Sequence, residues 1–85
     1  MSRWKTAKHL RMARRAEQVI LYDVENGKCI KIDEKSYSIF QFIRDNRPTL
    51  YEMVESFKEY NICEDELVKF VEWLRNMHFI EEIDL

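Results

Sequence analysis

His9, His78, Cys29 and Cys63 are the side chains in this chain best suited to bind a metal or act as base and nucleophile. Their spacing argues against both roles. A zinc site gathers three or four ligands, with pairs of them close in sequence, and no two of these four are near neighbours. The single glycine, Gly27, cannot build a phosphate-cradling loop. The acids of "EDE" at 64–66 read as the solvated start of a helix. No catalytic constellation is present, so the chain reads as no enzyme and as needing no cofactor. Two distant cysteines fit a reducing, cytoplasmic setting rather than a disulfide.

What remains is main-chain chemistry. "VILYDVENGKCIKID", residues 19–33, alternates apolar and polar residues around Asn26-Gly27, a strong hairpin signal because both turn residues take φ > 0. A two-residue turn there sets Val24 opposite Cys29, Asp23 opposite Ile30, Tyr22 opposite Lys31 and Leu21 opposite Ile32. Val19, Leu21, Ile30 and Ile32 then share a core face. Ile20, Tyr22, Val24, Cys29 and Lys31 share the other. Hydrogen-bonded pairs alternate with non-bonded ones, so Ile30 and Ile32 bond to the preceding strand. Cys29, Lys31 and Asp33 turn their backbone groups outward. Nothing later in the chain reads as a strand to cover that edge, and an uncovered edge can accept an extended peptide.

The elements around this edge follow from the hydrophobic period. From His9, Leu10 and Met12 point one way and Arg11 and Ala13 the other, giving a further strand joined through "RRAE". After Ile32 the period becomes 3.6. Tyr37, Phe40 and Ile43 make a helical stripe, capped by Asp33 or Ser36 and ended at "DNRP". Thr49 and Glu52 have capping-box spacing ahead of Leu50, Met53, Val54 and Phe57. After "YNIC", a third helix spans about 64–77, with Leu67, Phe70, Val71 and Leu74 toward the core and Val68 and Trp73 as surplus apolar surface. "MSRWKTAK" lacks periodicity and reads as a loose basic arm, residues 1–8, ahead of one domain over residues 9–85.

The 85 residues, 46% of them hydrophobic, suit one small globular domain. No run approaches the ~18 apolar residues of a membrane span, and the basic N-terminus lacks the apolar stretch of a signal peptide. The expected class is α+β and winged helix-turn-helix-like: a three-stranded antiparallel sheet followed by three helices. That outline invites a small winged-helix DNA-binding regulator as the alternative function. Charge disfavours it. Phosphate binding is largely electrostatic, yet residues 61–85 carry Glu64, Asp65, Glu66, Glu72, Glu81, Glu82 and Asp84 against Lys69 and Arg75. The cations gather instead within residues 1–15.

"EQVILYDVENGKCIKIDEKSYSIFQFI" and "TLYEMVESFKEYNICEDELVKFVEWLRNMHFIEE" together resemble the RiPP recognition element, the PqqD-like family. That family includes the small chaperone of pyrroloquinoline quinone biosynthesis and the stand-alone recognition proteins of lasso-peptide pathways. The resemblance covers residues 9–82. His78 stands where the family often has Gly, and Ser36 and Tyr37 replace its usual small residues. The resemblance implies a protein that binds the leader of a ribosomally made precursor peptide by strand addition. It presents that precursor to a modifying enzyme or leader peptidase. It also implies a site: the strand Cys29, Ile30, Lys31, Ile32 and Asp33, with a helix wall drawn from Leu67, Val68, Val71, Glu72 and Arg75. Lys31 and Arg75 would suit acids on a leader.

Overall fold

The computed structural model describes residues 2–84. The elements run β1 (Ser2–Thr6), β2 (Leu10–Arg15), β3 (Gln18–Asp23), β4 (Cys29–Ile32), α1 (Glu34–Asn46), α2 (Leu50–Phe57), a 3-10 turn (Lys58–Tyr60), α3 (Glu64–Asn76) and β5 (Ile80–Asp84). The fold is α+β, a three-stranded antiparallel sheet in the order β2-β3-β4 followed by three helices. A second sheet pairs β1 with β5.

That second sheet overturns the expectation of a loose arm. Residues of β1 are half-buried throughout. The strand runs antiparallel to β5 with Ser2 opposite Asp84 and Thr6 opposite Ile80. The Trp4 N–H donates to the Pro48 carbonyl at 2.9 Å and the Ala7 N–H to the Phe79 carbonyl at 2.9 Å. The basic N-terminus and acidic C-terminus complement each other within the chain. Lys5 lies 3.6 Å from Glu81, directly across the ladder, and Arg3 lies 2.8 Å from Glu52 on α2. Such exposed pairs contribute at most about 1 kcal/mol each. Apolar burial contributes more: Ala7, Phe79 and Ile80 are buried, and Trp4 packs on the core.

The hairpin differs from expectation in register. Tyr22 faces Cys29, Leu21 faces Ile30, Ile20 faces Lys31 and Val19 faces Ile32. The loop is thus the four residues Val24–Gly27. Asp23 is the cause. Its buried carboxylate accepts from the backbone N–H groups of Glu25 (2.9 Å) and Asn26 (3.1 Å) and from the Asn26 side chain (2.8 Å). Its carbonyl accepts from Gly27 at 2.8 Å, and Gly27 sits at φ +71. An aspartate that hydrogen-bonds the following backbone favours this wider turn over the two-residue one. The Asn26 amide, ahead of the backbone donors, holds the Asp23 carboxyl below its ordinary range. The slip is two residues, so every side chain keeps its expected face.

The helix signals read from sequence are present. Asp33 caps α1 through the Ser36 N–H. Thr49 and Glu52 form a reciprocal capping box on α2. The core joins Leu21 from the sheet to Ile39, Phe40 and Ile43 of α1, Met53 and Phe57 of α2, and Leu67, Val71 and Leu74 of α3. The turn from α3 into β5 puts His78 at φ +62. There the Phe79 N–H reaches back to the Leu74 carbonyl at 2.9 Å.

Candidate functional site

The strand β4 lies at one edge of its sheet, and no strand flanks it among the described residues. The Asp23 N–H donates to the Lys28 carbonyl at 2.8 Å, which makes residues 23 and 28 a hydrogen-bonded pair. Alternation then gives Leu21–Ile30 and Val19–Ile32 as the next bonded pairs. Cys29 and Lys31 therefore direct their N–H and C=O groups away from the sheet. Asp33 does not offer its carbonyl there, as the sequence suggested it would. Its carboxylate accepts from Ser36 at 2.7 Å and its carbonyl from Tyr37 at 2.9 Å, both within the start of α1. The bonds from Ser36, its backbone N–H foremost, hold the Asp33 carboxyl below the ordinary range.

Beside the end of β4 is a hollow of about 200 Å³, lined by Asp33, Lys35, Ser36 and Ile39 on one side and by Glu66 and Phe70 of α3 on the other. Lys35 and Glu66 close to 2.9 Å across it. Phe70 stacks on Trp73 with ring centroids 5.9 Å apart, and Trp73 meets the buried Phe79 edge-on at 6.2 Å. An aromatic surface thus extends along α3 from the hollow. It offers the second wall that a strand added to β4 would need.

The structure distributes the helix residues expected at this wall differently. Leu67 and Val71 are sealed in the core at 1% and 4% exposure, so they hold α3 in place without presenting surface. At about 100° per residue, Val68, Glu72 and Arg75 fall on one flank of α3 while Glu66, Phe70, Trp73 and Met77 fall on the other. The Arg75 guanidinium stands 6.0 Å from the Trp4 ring centroid, which identifies its flank as the β1 side. Glu66 and Phe70 mark the opposite flank as the side of β4 and α1. Reading Phe70 as core obscured this arrangement. Phe70, Trp73 and Met77 fall at i, i+3, i+7, a second apolar stripe beside the Leu67–Val71–Leu74 one, and that signal was available in the sequence.

The other sheet edge, on β2, carries Arg11, Arg14 and Arg15, the charges that blunt an edge against pairing. Cys29 and Cys63 are exposed free thiols. His9 lies 3.8 Å from Asp23 and 3.9 Å from Glu25, at the hairpin loop. Among the described residues no cluster of metal-ligating side chains occurs and no helix is long and apolar enough to cross a membrane.

No protein-family model and no curated protein matches the chain. A solved structure of TbiB1 in complex with the TbiA(beta) leader peptide matches it with a TM-score of 0.74, over 91% of this chain and 94% of that one. Sequence identity is 21%, so the likeness is one of fold. The resemblance drawn from sequence motifs holds at that level. The fold is one that, in TbiB1, has been solved together with a leader peptide.

Proposed function

We propose that this protein is a RiPP recognition element, a cytoplasmic adaptor that binds a precursor leader peptide and performs no reaction itself. The leader adds as a strand to β4, pairing with Cys29 and Lys31. Its inward side chains rest against Phe70 and Trp73, and Glu66 and Lys35 border the entrance. The bound precursor is then presented to a modifying enzyme or leader peptidase. The observation that carries this reading is the row of outward main-chain groups on β4 beside an aromatic wall on α3. The DNA-binding alternative is weaker, because α3 exposes Glu64, Asp65, Glu66 and Glu72 where a recognition helix needs cations.

The test replaces the Lys31 N–H. A backbone ester at position 31 deletes one outward donor and leaves the β3–β4 ladder intact. Titration calorimetry with the leader of a precursor encoded nearby should show micromolar or tighter binding to the wild type, about −8 kcal/mol or stronger. The ester should lose about tenfold, whereas Lys31→Ala, which keeps the N–H, should lose less. Equal affinities for ester and wild type would remove β4 as the pairing edge.

A further inference from the structure

The two faces of the sheet meet the β4 edge with different chemistry. On the outer face, turned away from the helices, Ala13, Ile20 and Lys31 stand in one row across the three strands. Lys31 is the only charge in that row and the only charged side chain on β4. It is exposed, and among the described residues no carboxylate lies within ion-pair distance of it. Arg11 and Arg15 on β2 lie two strand spacings away, about 10 Å from β4. On the helix side, Ile30 and Ile32 face the aromatic wall. The hollow beside Ile32 has apolar surface from Ile39 and Phe70, and its charged groups already have partners. Asp33 accepts from the Ser36 N–H, and Lys35 closes on Glu66 at 2.9 Å. With two carboxylates against one ammonium in that hollow, a leader acid turned inward would be buried without a free cation, which is costly.

We infer that the leader segment read at β4 is a triplet of apolar, acidic and apolar residues, with the acid set against Lys31 on the outer face and both neighbours turned toward α3. The inference rests on leader binding at β4. Successive residues of a strand point to opposite faces. A leader residue beside Lys31 therefore has neighbours on the helix side, beside Ile30 and Ile32. One of them meets the Phe70–Trp73 stack and the other the hollow. A side chain directly across from Lys31 has its Cβ about 5 Å away, near enough for opposite charges to attract and like charges to repel. The triplet reads the same in both directions, so it holds for either polarity of the added strand. Arg75, the other cation suited to leader acids, stands beside Trp4 on the β1 flank of α3 and takes no part. Lys31 alone then decides the charge of the leader at this edge.

The test is a charge-swap cycle read by titration calorimetry, using the full chain and synthetic leaders of the precursor encoded nearby. Each acid of the leader is replaced in turn by Lys. One replacement, at an acid with apolar neighbours on both sides, should weaken binding to the wild type about tenfold. Lys31→Glu should weaken binding of the native leader about tenfold. The two changes together should return affinity to within threefold of the native pair. Replacing either apolar neighbour by Asp should weaken binding to wild type and to Lys31→Glu alike, because those side chains lie on the other face. If melting shows that Lys31→Glu does not fold, Lys31→Gln serves: the acid-to-Lys leader should then lose less than threefold against it. Three results would overturn the inference: no leader acid responds, the responsive acid lacks apolar neighbours, or the swap restores nothing. Absence of native-leader binding by wild type would instead remove the function on which the inference rests, and calorimetry with that leader alone separates the case.

Discussion

At the scale of residues, one left-handed backbone position is held by a side chain that gains nothing from it. His78 sits at φ +62 in the turn that ends α3, a conformation in which Cβ crowds the backbone and glycine is preferred. His78 is exposed. His78→Gly should therefore stabilise the protein by about 1 kcal/mol, since relief of strain exceeds the added freedom of the unfolded chain. Thermal melts check this. An unchanged or lowered melting temperature would mean that the imidazole contributes more than the strain costs. The family resemblance singles out the same position, because His78 stands where the family often has Gly. What the sequence could not give was the sign of φ. Asp23 teaches a related lesson: Asn-Gly signals a turn, but an aspartate three residues earlier, with acceptors for the loop's N–H groups, decides how wide that turn is.

At the scale of elements, the sheet that anchors residues 2–6 changes what truncation should do. Deleting residues 1–7 removes β1 and exposes Phe79 and Ile80. The expected loss is about 3 kcal/mol or more from apolar area alone, a large part of the stability of a domain this size. Urea unfolding would register it, and an unchanged midpoint would make β1 dispensable. The pairing left little trace in the sequence. Arg3, Lys5, Glu81 and Glu82 interrupt the apolar positions, and the partners sit at opposite ends of the chain, so only tertiary context makes them strands. The β2–β4 sheet was legible because its alternation and turn signals are local, and α1 and α2 because their caps are. The aromatic flank of α3 yields a paired prediction. Phe70→Glu and Val68→Glu each place a charge at a half-buried position, at a cost of about 1–3 kcal/mol. Only Phe70→Glu should also reduce leader affinity, by tenfold or more. If Val68→Glu reduces it equally, the groove lies on the β1 side of α3.

At the scale of the whole molecule, three carboxylates tie the fold to pH. Asp23, Asp33 and Glu52 are held below their ordinary values of 3.8, 3.8 and 4.5. The Asn26 amide is the leading cause for Asp23, the Ser36 N–H for Asp33 and the Thr49 N–H for Glu52. In each case the fold favours the ionised form. The stabilisation is therefore complete above those ordinary values and is lost as pH falls through the lower folded ones. Circular-dichroism melts should stay level from neutrality to about pH 5 and fall below it. Asp23→Asn should flatten the decline; an identical decline in that variant would assign the acid sensitivity elsewhere. The shortness of β4 has a consequence of a different kind. Four residues with two outward-facing positions can form at most about four main-chain bonds, worth roughly 2–6 kcal/mol in all. These bonds are blind to side-chain identity, and they fall short of the −8 kcal/mol of micromolar binding. If a leader binds there as proposed, the remainder must come from a few side chains, and the message such a site can read is only a few letters long. On that reading a precursor would be free to vary everything outside that word, and any unrelated peptide that carried the word would inherit the pathway.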